Sequence, residues 1–305
     1  MASQVKASVM EAIGNTPVVR LGRLFPHAHV VAKLEFMNPG GSVKDRMVRH
    51  MLRGLPEGAR RVVESSSGNT GAALAMASAV LGLRCDVTVP DTTSTEKVKR
   101  IRAYGADVHL CAPDGAGDPA RGYHAVAEGI ARDEGAHYLD QYCSEHNRDA
   151  HYRDTGPELW EQLAGEIDVF VCGIGSGGTI SGIGRYLKER RRDIAVVGVE
   201  PLHSAYRGLV TDEPASGAYA TVVEGVGKRQ PSRSFDPAVV DDVVQVADDD
   251  ALAWCRRLAA EEGILAGGSS GCVTAGIARL EGALRGKRIA TLYPDSGAFY
   301  LSKYF

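Results

Sequence analysis

Short β-branched and apolar runs alternate with helical stretches along this 305-residue chain. Strands are predicted at residues 30–35, 61–64, 85–90 and 107–110, and again at 169–172, 195–200, 243–246 and 288–292. Helices are expected between them, over 69–81, 94–103 and 123–133, then over 154–163, from the glycine loop after residue 172 to about 189, and over 248–261 and 269–284. A spacing of roughly 20 to 25 residues per βα unit is that of a parallel sheet with helices on both faces. Strands apolar on both sides must be covered on both sides, and this confines the chain to the α/β class. The series restarts after Gln141, so two doubly wound lobes with mainly parallel sheets are expected, binding ligands beyond the strands' C-terminal ends. Residues 203–236, rich in glycine, serine and proline, read as loop.

Bulk properties remove several function classes. A net charge of −3 gives no reason to expect nucleic acid or an anionic membrane as partner. No apolar run reaches the length of a transmembrane helix, and the first six residues lack the apolar core of a secretory signal. Six scattered cysteines without C-x-x-C spacing argue against zinc and against a disulfide framework. The expectation is a cytoplasmic enzyme without a metal.

The stretch 38–46, N-P-G-G-S-V-K-D-R, is a turn cluster running into a helix, with Ser42 as the predicted N-cap. Lys44 falls in the first helical turn, where the macrodipole disfavours its positive charge. That suits an amine that reacts neutral, as in a Schiff base with an aldehyde cofactor. A solvated Lys-Asp-Arg face is the plain alternative.

Two other βα junctions are candidate anion sites. Ser65, Ser66, Ser67, Gly68, Asn69, Thr70 and Gly71 offer hydroxyls and backbone N–H groups where an alanine-rich helix begins. Lacking a lysine for a triphosphate, this loop suits a small carboxylate; ordinary capping is the competing reading. Gly173 to Thr179, G-I-G-S-G-G-T, satisfies G-x-G-x-x-G, and Glu200 ends the next strand. A dinucleotide fingerprint is therefore tempting. Gly175, Ser176, Gly177, Gly178 and Thr179 suit one phosphate monoester equally well. A reactive lysine in one lobe and a phosphate cradle in the other call for pyridoxal 5'-phosphate, which carries both an aldehyde and a phosphate. A third loop, Gly267-Gly268-Ser269-Ser270-Gly271, places Ser269 either as an N-cap, which the sequence favours, or opposite a ring nitrogen. The nine histidines, His151 included, show no paired spacing and read as core or surface residues.

With these loops in order, the chain resembles the cysteine synthase and cystathionine β-synthase family of fold-type II pyridoxal-phosphate enzymes. The resemblance rests on Gly14-Asn15-Thr16-Pro17, Asn38-Pro39, Ser42-Val43-Lys44-Asp45-Arg46, Ser67-Gly68-Asn69-Thr70-Gly71, Gly175-Ser176-Gly177-Gly178-Thr179, Glu224-Gly225-Val226-Gly227, Gly268-Ser269-Ser270-Gly271 and Pro294-Asp295. It implies a tryptophan-synthase-β-like fold with a smaller mobile lobe at 38–142 and a larger lobe from 1–37 and 143–305. It implies Lys44 as Schiff-base lysine and base, Asn69 on the cofactor's ring hydroxyl, residues 175–179 on its phosphate and Ser269 at its ring nitrogen. Ser66, Ser67, Gly68, Asn69, Thr70, Gln141 and Gly225 would meet the amino-acid substrate. The reaction implied is β-replacement on O-acetyl- or O-phospho-L-serine through an aminoacrylate, in a homodimer. No room is left within 305 residues for an appended regulatory domain.

Some residues depart from that pattern. Ser65-Ser66 stands where cysteine synthases commonly have Pro-Thr, and the basic stretch 228–233 follows Gly225-Val226-Gly227. That stretch favours a phosphorylated or dicarboxylic substrate or is simply a solvated loop. Residues 24–26, 32–41 and 141–142 are also similar to synthases joining O-phosphoserine to glutamate, so an amine nucleophile giving a 2,3-diaminopropionate precursor is the alternative. A nicotinamide oxidoreductase built on Gly173 to Gly178, and a cofactor-less binding module, are the readings from other classes.

Overall fold

The computed structural model describes residues 5–66, 68–112, 118–211, 213 and 217–305. Two compact units divide the chain: Gly14–Met37 with Asn147–Phe305, and Asn38–His146 with the described residues before Gly14. The described residues before Gly14 thus belong with the smaller unit, not with the larger lobe as expected for 1–37.

The chain opens the larger unit with β1 (Val18–Arg20) and β2 (His29–Leu34). It then builds the smaller unit from α1 (Lys44–Arg53), β3 (Arg61–Ser65), α2 (Asn69–Leu81), β4 (Arg84–Pro90), α3 (Thr95–Ala103), β5 (Asp107–Cys111), α4 (Tyr123–Glu134) and β6 (His137–Tyr138). Its four strands lie in the order β5-β4-β3-β6, all parallel. Parallel pairing follows from the helix that returns the chain between consecutive strands. β3 therefore lies between β4 and β6, and Glu64, paired with Val87, is fully buried near its C-terminal end.

α5 (Glu145–Ala150) leads back into the larger unit, where a π-helical turn, His151–Thr155, precedes α6 (Gly156–Gln162). β7 (Val169–Gly173), α7 (Gly178–Arg190), β8 (Ala195–Pro201), α8 (Arg207–Val210), β9 (Asp242–Val246), α9 (Asp248–Glu262), α10 (Gly268–Leu280), β10 (Arg288–Tyr293) and α11 (Leu301–Tyr304) follow. The sheet order is β1-β2-β10-β7-β8-β9; only β1 runs antiparallel to its neighbour.

Strand periodicity sorts this unit's apolar residues into two cores. Val169, Val171, Val197 and Val199 face Leu258, Val273, Ala275 and Ile277 of α9 and α10. Their neighbours Phe170, Cys172 and Val196 face Leu159, Ile180, Ile183 and Leu187 of α6 and α7. Each fully buried branched side chain contributes roughly 1.5–3 kcal/mol. Three of them on α7 hold the start of that helix in a fixed place beyond β7.

Three local expectations differ. The expected loop at 203–236 contains α8, whose leading N–H groups are taken by Glu200. Asp248 does not cap α9; its carboxylate accepts from the Thr221 hydroxyl and the Val222 N–H instead. The helix expected to reach residue 284 ends at Leu280. Among the described residues no helix is long and apolar enough to cross a membrane, and no cluster has a metal-ligand constellation.

Candidate active site

In the smaller unit, Lys44 is the first residue of α1. The cap position belongs to Val43, not Ser42, but the Ser42 hydroxyl still accepts the Lys44 N–H at 3.3 Å. Asp45 turns back to accept the Gly40 N–H at 2.6 Å, and a Cβ on Gly40 would lie 2.4 Å from that carboxylate. Gly40 is thus required for the turn that presents Lys44.

β3 delivers the second group of residues. Ser66 continues the strand's pairing through its N–H to Thr88, and its hydroxyl accepts the Gly68 N–H at 3.2 Å. Gly68 is the N-cap of α2, and among the described residues no side-chain cap bond is made there, so Asn69 opens a helix N-terminus of the kind that suits an anion. Gly71 packs so closely that a Cβ would sit 2.7 Å from Val87. Ser67 lies outside the described residues. Thr70 donates its hydroxyl to Gln141 Oε1 at 2.9 Å, and Gln141 Nε2 donates to Glu64 Oε1 at 3.3 Å. The structure thus joins Thr70 and Gln141, far apart in sequence, into one buried chain ending on Glu64. Burial pushes the Glu64 carboxyl up to about 8, with Asp140 adding to the rise and bonds from Gln141 and the nearby Lys44 opposing it.

In the larger unit, residues 175–179 link β7 to α7. A Cβ on Gly175 would meet the Gly225 carbonyl at 2.3 Å, and one on Gly177 would meet Phe235 Cβ at 2.5 Å. Gly177 also has φ +85°, which only glycine adopts without strain. Among the described residues no side-chain cap bond is made at the start of α7, a helix N-terminus of the kind that suits an anion. Asn147 Nδ2 donates to the Ser176 hydroxyl at 3.0 Å, and His151 holds Thr179 Oγ1 at 3.1 Å and Thr155 Oγ1 at 3.0 Å. A cradle of backbone N–H groups flanked by two oriented hydroxyls fits a phosphate monoester. Neither Asn147 nor His151 was singled out from sequence for this role; the π-helical turn that carries His151 has no signature a local reading detects.

Glu200 decides against the dinucleotide reading. Its carboxylate, wholly buried, accepts from the N–H groups of Tyr206 and Arg207 and from Gln245 Nε2, at 3.0–3.1 Å. The acid that would hold a ribose is occupied in the interior. Ser269 is also reassigned: Gly267 is the N-cap of α10, and Ser269, inside the first turn, makes no cap bond. Gly225, at φ +83°, lies against the phosphate-type loop through its carbonyl.

Residues 9–295 match the sequence pattern of the family described as "Pyridoxal-phosphate dependent enzyme". The chain belongs to that family, and its cofactor is pyridoxal 5'-phosphate. Among its relatives is cysteine synthase B of Pseudomonas aeruginosa, 36% identical over 97% of this chain and 96% of that one. Cysteine synthase A of Escherichia coli is 37% identical over 95% and 92%. Cystathionine beta-synthase of Rattus norvegicus is 37% identical over 99% of this chain, which spans 55% of that protein's length. The crystal structure of an O-ureido-L-serine synthase superposes with a TM-score of 0.89 at 35% identity, covering 98% of this chain and 95% of that one.

Proposed function

We propose that the protein replaces the β-substituent of an O-activated L-serine, in the manner of a cysteine synthase. The observation that carries this reading lies within the smaller unit. A lysine at the first position of α1 accompanies an uncapped, hydroxyl-lined helix start whose side chains are already ordered by Gln141. That pairs an amine with a carboxylate site, as an amino-acid substrate requires.

Pyridoxal phosphate supplies the electron sink that makes the substrate's Cα–H acidic. Lys44 would hold the cofactor through its side-chain amine, and that amine, released when the substrate's amino group takes its place, would accept the Cα proton. Residues 175–179 would hold the phosphate, Asn69 the ring hydroxyl, and Ser269 the ring nitrogen. A neutral hydroxyl at that nitrogen would leave the ring a weaker electron sink, which suits loss of the β-substituent over transamination. Ser66, Ser67, Gly68, Asn69, Thr70 and Gln141 grip the α-carboxylate, with Gly225 at the side chain of the substrate. The unit built on Asn38–His146 would then grip the substrate, and that of Gly14–Met37 with Asn147–Phe305 the phosphate.

The leaving group is acetate or phosphate, and the incoming group sulfide, a thiol or an amine such as glutamate. Arg229 and Arg233, exposed after Gly227, favour the anionic donor. A homodimer in the cytoplasm is the expected setting. O-Acetyl-L-serine and O-phospho-L-serine, added separately to the holoenzyme, distinguish the donors. The productive one shifts the cofactor's visible band and releases its β-substituent, after which sulfide and glutamate are compared as acceptors by product mass. Lys44→Ala should lower turnover by about 10²–10⁴-fold or more. If neither donor shifts the band or loses its substituent, the reading is wrong.

A further inference from the structure

Glu64 takes no part in the chemistry above, yet its surroundings are those of a working group. It is fully buried, accepts the Gln141 side chain at 3.3 Å through Oε1, and leaves Oε2 buried with no hydrogen bond among the described residues. We propose that Glu64 is the positioning residue of the carboxylate site, setting which way round the Gln141 amide lies and, through it, where the Thr70 hydroxyl points its proton. The inference rests on the reading that Thr70 and Gln141 bind the substrate's α-carboxylate.

The argument is one of donors and acceptors. An ionised Glu64 only accepts, so Gln141 must present its NH₂ to it and its carbonyl oxygen to Thr70. Thr70 then donates to Gln141, as observed at 2.9 Å, and offers an incoming carboxylate nothing but lone pairs. With a proton on Glu64 the chain reverses. Glu64 O–H donates to Gln141 Oε1, Gln141 Nε2 donates to Thr70 Oγ1, and the Thr70 hydroxyl proton turns to the bound anion. One proton taken up at Glu64 thus becomes one more donor at the site. An arriving negative charge favours the same proton, and burial already holds the Glu64 carboxyl up to about 8.

The other charged and titratable groups around Glu64 do not provide this relay. Lys44 of α1 and Asp140 beyond β6 act on it through space with opposite signs. Cys85 of β4 and Tyr138 of β6 are themselves pushed up by burial and stay neutral near pH 8. His124 of α4 is bonded to the Ser65 hydroxyl, and Lys97 of α3 lies beside Gly68. α2 carries no titratable side chain.

The test compares wild-type and Glu64→Gln holoenzymes titrated with L-alanine, which has a carboxylate but no leaving group. Binding is read from the cofactor band across pH, and proton uptake from calorimetry in two buffers of different ionisation enthalpy. Above about pH 8, wild type should take up more protons on binding than Glu64→Gln, whose side-chain N–H donates to Gln141 at every pH. Its affinity should fall by up to about tenfold per pH unit above the Glu64 titration, where the variant's profile stays flat by comparison. Thr70→Val, which keeps Glu64 but ends the relay, should lose the extra proton and serves if Glu64→Gln does not fold. Equal proton counts and superimposable pH profiles overturn the inference while leaving the carboxylate site standing. If L-alanine fails to bind either holoenzyme, the carboxylate reading itself falls, and this inference with it.

Discussion

The two βα junctions proposed as anion sites share a plan and differ in what holds them in place. Both leave a parallel strand, pass through glycine and hydroxyl residues, and start a helix with no side-chain cap. The junction after β7 is fixed by steric exclusion: Gly175 and Gly177 have no space for a Cβ, and the hydroxyls of Ser176 and Thr179 are held by buried polar residues. The junction after β3 depends on a chain of side chains, Thr70 to Gln141 to Glu64, whose donors and acceptors can exchange roles. On the proposed assignment, a phosphate held throughout would meet backbone with no space to move, and a substrate that comes and goes would meet side chains whose donors and acceptors can exchange.

Substitutions at each junction sharpen this contrast. The largest effect is expected from Gly177→Ala, which forces a side chain to φ +85° against Phe235. It should destabilise the protein by about 1–3 kcal/mol and release cofactor, seen as a lower melting midpoint and a colourless preparation. Thr70→Val should spare cofactor binding but raise the donor's KM roughly tenfold to a hundredfold, the range of a hydrogen bond to a charged group. If it instead discharges the cofactor, the two junctions are not separable as described.

Glu64→Gln should change stability in a pH-dependent way. The folded carboxyl titrates near 8, where the ordinary value is 4.5. Between those values the unfolded chain has ionised while the fold still holds its proton, so wild-type stability falls as pH rises, then levels off above 8. The variant has no such term. It should exceed wild type by on the order of 3 kcal/mol at pH 8, with the gap closing toward acid, measured by urea denaturation across pH. A gap independent of pH would show that Glu64 is ionised throughout. The smallest effect is expected from His151→Phe, which removes one hydrogen bond to Thr179 and should weaken cofactor affinity about two- to tenfold.

Much of this was legible in the sequence, and the reasons are local. The βα alternation gave the class of sheet because burial on both faces leaves a continuous apolar run. Lys44 and the glycine loops stood out because turn chemistry and helix starts depend on adjacent residues. What was not legible depends on contacts across the fold. Asn147 and Ser176 are 29 positions apart, and Glu64 and Gln141 are 77. The sequence leaves Ser269 between an N-cap and a cofactor partner, because serine near a helix start is ambiguous until the backbone shows Gly267 in the cap position. His151 was taken for an ordinary core or surface residue; it is buried, but its two ring nitrogens face Thr155 and Thr179.

The inward turn of Glu200 also constrains how such a chain can evolve. Its carboxylate joins the end of β8 to the start of α8 and to Gln245 on β9, so three neighbouring elements depend on it. A lineage drifting toward a nucleotide cofactor would have to free this acid before gaining anything from it. Every intermediate on that route would leave buried N–H groups without an acceptor and fold less well than its parent. The loop looks one substitution from another trade, but the scaffold behind it closes that path.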